Sequence, residues 1–121
     1  MKKLYTLLFI ALGVVTSTAQ NYEFQDVIDI ERLPVISQDQ TGTCWSFSTS
    51  SFIESEIIRL TGKKIDLSEI YQARTTYIAK AENYVMRQGK ANFSEGALAH
   101  DMINSISQFG IVPNVVFDGL N

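Results

Sequence analysis

Gln38-Asp39-Gln40-Thr41-Gly42-Thr43-Cys44-Trp45-Ser46-Phe47 contains the single cysteine of a 121-residue chain. From Trp45 onward, Phe52, Ile53, Ile57 and Leu60 recur at helical spacing, and Thr43 is an N-cap candidate. Cys44 therefore falls in the first turn of an expected helix over residues 44–60. A thiol there sits beside unpaired backbone N–H groups and the positive end of the helix dipole, which favours thiolate, the nucleophilic form. Gln38 lies six residues upstream, and the Thr41-Gly42-Thr43 turn can fold its amide back toward the sulfur. A cysteine N–H and a glutamine amide are the two donors that an acyl-transfer site uses to hold an oxyanion. The plain alternative is that Cys44 is a small buried apolar residue.

Working outward, Lys2 and Lys3 precede an apolar run from Leu4 to Val15, and Ser17-Thr18-Ala19 then supplies small residues. This is the grammar of a signal peptide over residues 1–19, with cleavage after Ala19 and export to the periplasm or outside the cell. The uncharged stretch from Leu4 to Ala19 is 16 residues, below the roughly 20 that a spanning helix needs. A retained anchor is the alternative. Without residues 1–19 the chain holds 8 basic and 13 acidic residues, a net charge of −5, and lacks basic clusters. That balance argues against a nucleic-acid partner and, once the signal is removed, nothing predicts a stable membrane anchor. One cysteine excludes an intramolecular disulfide.

Residues 20–37 read as an extended approach, because Pro34 blocks a continuing helix. A second helix runs from Ile70 to about Met86, capped by Asp66 or Ser68, with Glu69 completing a possible capping box from Asp66. A third starts near Ser94 and carries Leu98, Met102, Ile106 and Phe109 before Gly110 and Pro113. The methionine and aromatic residues on these stripes are expected in the core. There are no repeats, low-complexity tracts or phosphate-binding glycine loops, and no cofactor is implied.

Gln38, Gly42, Cys44, Trp45 and Phe47 resemble the nucleophile segment of papain-like cysteine peptidases. Thr41 stands where the papain signature Cys-Gly-[Ser/Ala]-Cys-[Trp/Tyr] has its first cysteine. With Leu67-Ser68-Glu69, Asn92 to Ala97, His100-Asp101 and Phe109 to Pro113, the chain looks like the aminopeptidase C and bleomycin hydrolase branch. The resemblance implies an α+β papain-like cysteine proteinase fold. This chain would represent its helical N-terminal (left) domain over residues 20–121, truncated before the strand-rich domain. It also implies a peptide substrate, Cys44 as nucleophile, Gln38 in the oxyanion hole, and substrate contacts at Gly96 and Ala97; a homo-oligomer is compatible with it. Ala97 departs from the family's Gly-Gly pair and puts a methyl group where close approach is expected.

A cysteine peptidase also needs a base, and His100 is the one histidine, 56 residues after Cys44. The family's histidine comes from a later domain, at least about 130 residues on. His100 therefore reads as structural, a partner for Asp101. The alternatives are a compact Cys44–His100 dyad or a metal ligand, the latter weak for a lone histidine. None of the 77 residues after Cys44 resembles the Asn-Ser-Trp segment that orients the family's histidine. Two rivals to the peptidase reading are a truncated, inactive exported binding or remnant domain, and a generic helical interaction domain with Cys44 in its core.

Overall fold

Three helices form the regular structure of residues 22–119, the part that the computed structural model describes. They are α1 (Cys44–Thr61), α2 (Glu69–Met86) and α3 (Ala99–Phe109). Each packs on the other two. No strand forms among the described residues; a single antiparallel bridge pairs Leu67 with Pro113. The signal-peptide expectation for residues 1–19 lies outside the described residues. No helix among the described residues is long and apolar enough to cross a membrane.

α1 stops where the sequence predicts. Gly62 takes φ 70°, a conformation that β-carbons disfavour, and its N–H bonds the Ile58 carbonyl at 2.8 Å. α2 is capped by Ser68, whose hydroxyl accepts from the Tyr71 N–H at 3.0 Å. The expected Asp66–Glu69 capping box does not form, because Glu69 is already the first helical residue. The third helix begins five residues later than the expected Ser94 start. The Ser94, Glu95 and Gly96 carbonyls accept from side chains of α1 and α2 instead of opening a helix. Asp101 then fixes the true start, its carboxylate accepting the Leu98 N–H at 2.8 Å.

Packing also differs from the apolar stripe read along α1. Phe52 and Leu60 are exposed, and the buried face is Trp45, Ser46, Thr49, Ser50, Glu54 and Ile58. Small hydroxyl side chains let the helices approach closely, and most bond to backbone or to each other. Ser46 donates to the Glu69 carbonyl at 2.7 Å, and Thr75 and Ser105 share a hydrogen bond of 2.6 Å. Gln72 donates to the Gly110 carbonyl at 2.9 Å, tying α2 to the end of α3. The apolar centre is Trp45, Ala73 and Met102, with Ile53, Tyr77, Ala97 and Ile106 packed around it.

Two segments without regular structure complete the fold. Residues 22–36 form no helix or strand and bend at Val27, with Phe24, Val27 and Val35 exposed. Beyond α3 the chain returns to the start of α2. The Ser68 N–H bonds the Val112 carbonyl, the Asn114 N–H bonds the Asp66 carbonyl, and the Phe117 ring packs edge-on against Tyr71.

Candidate active site

The approach to α1 is a tight turn that fastens itself. The Gln38 amide donates to the Thr41 carbonyl at 2.5 Å, and the Thr41 hydroxyl returns a bond to the Gln38 carbonyl at 2.6 Å. Asp39 takes φ 51° within this turn, a left-handed conformation that aspartate tolerates better than most residues. One of the two hydrogens on the Gln38 amide nitrogen is used in the turn, leaving the second to donate elsewhere.

Thr43 occupies the N-cap position of α1, but its side chain does not cap the helix. Its hydroxyl is instead paired with that of Thr41 at 2.5 Å. The Ser46 and Phe47 N–H groups reach the Thr43 carbonyl at 2.8 and 3.2 Å. Cys44 and Trp45 carry the remaining first-turn N–H groups, which helix geometry leaves without intrahelical acceptors. Cys44 itself is exposed, which removes the reading of its thiol as core packing.

Trp45 anchors the start of α1 from the other side. Its ring is buried, and the indole N–H donates to the Glu95 carbonyl at 3.1 Å. Gly42 closes the same contact, since a β-carbon there would collide with Glu95 Oε2 and fall 2.7 Å from Glu95 Cβ. The turn leading into Cys44 is therefore docked on the bend that precedes α3. This brings Gly96 and Ala97 into the neighbourhood of that turn. Gly96 is exposed with open space beside its α-carbon, while the Ala97 methyl packs against the core.

Cys44 lines a cavity of about 300 Å³ with the Pro34 to Ile36 segment, Phe47 and the carboxylates of Glu54, Asp66 and Glu69. Carboxylate oxygens of the three acids lie within 4.8 Å of one another. Burial raises the Glu69 pKa to about 7, opposed by its own N–H and reinforced by Glu54 and Asp66. Burial likewise raises Glu54, against a bond from the Leu67 N–H at 2.7 Å. Three carboxylates are hard donors of the type that holds a divalent cation. The Leu67 N–H bonds Glu54 and the Glu69 N–H bonds its own carboxylate, and these backbone donors offset part of the cluster's charge. Sequence reading did not single out this cluster, although Glu54 follows Ser46 and Ser50 at spacings of four along one face of α1.

His100 is exposed on the first turn of α3, its Nε2 3.5 Å from Asp101 Oδ1. It does not line the cavity at Cys44, so the two residues form no compact dyad there.

Residues 18–73 match the papain family cysteine protease. The matched stretch contains Gln38, Cys44 and Trp45 together with Leu67-Ser68-Glu69, that is, all of α1 and the start of α2. Cathepsin L2 of Homo sapiens is 47% identical to the chain over 36 residues, which is 30% of this chain. That alignment spans 11% of the length of cathepsin L2. The family match thus covers the segment that carries Cys44, and the chain spans only a small part of the length of the relative it matches.

Proposed function

We propose that this chain carries the nucleophile and oxyanion half of a cysteine-type peptidase that cleaves peptides through a thioester acyl-enzyme. The observation that carries the reading is an exposed Cys44 at the first turn of α1, entered through the Gln38–Thr41 turn. In this reading the Cys44 thiolate attacks the scissile carbonyl. The Cys44 N–H and the second Gln38 amide hydrogen receive the oxyanion. His100, exposed and paired with Asp101, is not the base. The imidazole that takes the thiol proton comes from outside these 121 residues, on the same polypeptide or on a partner.

Specificity for free amino termini, as in the aminopeptidase C and bleomycin hydrolase branch, rests on the resemblance of Asn92 to Ala97 and Phe109 to Pro113. Export rests on the signal-peptide grammar of residues 1–19, and a homo-oligomer on the branch resemblance. A second reading, a non-catalytic helical binding domain, draws on the exposure of Phe24, Val27, Val35 and Val115.

Labelling with a dipeptidyl chloromethyl ketone separates the two. The peptidase reading expects alkylation of Cys44 that saturates with reagent concentration and exceeds the iodoacetamide rate. A linear dependence with equal rates for both reagents would leave the binding-domain reading standing.

A further inference from the structure

Side chains alone close the turn that delivers Gln38 to the start of α1. Among the described residues, no main-chain hydrogen bond links Gln38 to Thr41. A four-residue turn is often closed by a bond from its last N–H to its first carbonyl. Here the Thr41 hydroxyl takes that place, donating to the Gln38 carbonyl at 2.6 Å. The Gln38 amide closes the loop in the other sense, donating to the Thr41 carbonyl at 2.5 Å. Both hydrogen bonds of Gln38 thus run to Thr41.

A hydroxyl has one hydrogen and two lone pairs, which sets the direction of the next bond. The Thr41 hydrogen is spent on the Gln38 carbonyl. In the 2.5 Å contact between Thr41 Oγ1 and Thr43 Oγ1 the donor is therefore Thr43. The result is a directed chain from Thr43 to Thr41 to the Gln38 carbonyl, in which each bond polarises the next. Thr41 is exposed, whereas Thr43 is buried, so the chain is anchored from inside the fold. It also accounts for the start of α1 without a side-chain cap, because the Thr43 hydroxyl is committed to Thr41.

We propose that Thr41 is a positioning residue for the oxyanion donor: its hydroxyl, backed by Thr43, fixes the Gln38–Thr41 turn and so holds the free amide hydrogen of Gln38 in place. The role rests on the cysteine-peptidase reading given above. An oxyanion donor stabilises charge best when it does not have to reorient as the charge develops. The Gln38 amide is oriented by the Thr41 carbonyl, and that carbonyl is only as fixed as the turn that carries it. With the hydroxyl bond in place, Gln38 and Thr41 are joined through both main chain and side chain. Without it, one amide bond is the sole closure of a turn that already holds Asp39 at φ 51°.

The test acylates Cys44 in the full chain with p-nitrophenyl acetate at alkaline pH, where thiols ionise without a catalytic base. The thiolate adds to the ester carbonyl and places negative charge on its oxygen. The C–O bond then breaks, releasing p-nitrophenolate and leaving S-acetylated Cys44. Iodoacetamide alkylation, a displacement that forms no oxyanion, is run beside it, with Cys44→Ala as the blank. Thr41→Val should slow acylation about tenfold, the loss of one ordinary hydrogen bond, and leave alkylation unchanged. Thr41→Ser should restore most of the rate. Gln38→Ala should slow acylation about a hundredfold, and adding Thr41→Val to it should cost nothing more. Unchanged acylation in Thr41→Val, an equal fall with both reagents, or the same fall in the Gln38→Ala chain overturns the role of Thr41 while Gln38 keeps its place. A normal acylation rate in Gln38→Ala overturns the oxyanion reading and this role together. If Thr41→Val loses its helical circular dichroism, Thr41→Ala takes its place with the same expected split.

Discussion

The Trp45 indole and the Glu95 main chain, fifty residues apart, are joined by an N–H···O=C bond of 3.1 Å. This bond ties the first turn of α1 to the bend before α3. Tyr77 donates to the same carbonyl, so the oxygen does not depend on Trp45 alone. Trp45→Phe should therefore cost more in packing than in hydrogen bonding. The ring shrinks inside the apolar centre, and one neutral bond worth about 0.5–1.5 kcal/mol is lost. A total of about 2–3 kcal/mol is expected by urea unfolding. A cost below 0.5 kcal/mol would mean that the indole is not the anchor described.

Gly42→Ala addresses the same junction from the turn. Its β-carbon would meet both the carboxylate and the β-carbon of Glu95, and the latter cannot swing aside without moving backbone. Overpacking of this kind costs about 1–3 kcal/mol. Glu95→Gly in the same chain should recover most of the loss, because it removes both colliding atoms. The double-mutant cycle by urea denaturation measures this, and additive effects would contradict the contact.

Acid and alkali should act on this protein through Glu69. Its folded pKa of about 7 exceeds the ordinary carboxylate value of 4.5, so the folded state binds the proton more tightly than the unfolded one. Stability is highest below about pH 4.5 on this account, and falls as the pH rises toward 7. Full loss of the contribution, about 3 kcal/mol at most, is reached above pH 7. Glu54 is raised as well and acts in the same direction. Glu69→Gln should flatten the fall. Thermal melts at pH 5 and pH 8 decide it: a wild type that is more stable at pH 8 would reverse the sign.

Chemistry at Cys44 should divide between attack and oxyanion support. In a form of the protein that turns over peptides, Cys44→Ala should abolish hydrolysis with little change in helix content. Gln38→Ala should keep the iodoacetamide rate yet lose about 2.7–4 kcal/mol of transition-state stabilisation. Because the Gln38 amide also fastens the turn through Thr41, Thr41→Val serves as a control for turn loosening, since it removes the hydroxyl bond to the Gln38 carbonyl. Normal turnover in Gln38→Ala would remove that residue from the site.

Helix existence was legible because it depends on local signals: Gly62 and Gly110 as terminators, Ser68 as cap, and the apolar spacing around Met102. The start of α3 was not, because donors on Trp45, Tyr77 and Lys80 capture the 94–96 carbonyls from distant parts of the chain. Thr43 failed as a side-chain cap because Thr41 competes for its hydroxyl. The buried face of α1 was missed because periodicity scores apolar residues, while Ser46, Thr49 and Ser50 go inside. Of the candidate site, Cys44 and Gln38 are named from a ten-residue stretch, and the structure exposes Cys44 on the first turn of α1. The Glu54–Asp66–Glu69 cluster forms where the approach to α2 folds back on α1, a juxtaposition that apolar periodicity does not report.

The hydroxyl-lined interior has a calorimetric consequence. Among the described residues, five buried apolar side chains accompany eleven buried polar or charged ones. Unfolding thus wets much polar surface, which lowers heat capacity, and comparatively little hydrocarbon, which raises it. The heat-capacity increment per residue should fall below the usual ~12–15 cal/mol/K, giving a shallow, broad stability curve. Such a domain loses little of its cohesion on cooling, and its resistance to heat is governed by directional bonds such as Thr75–Ser105 more than by the oil-drop part of its interior.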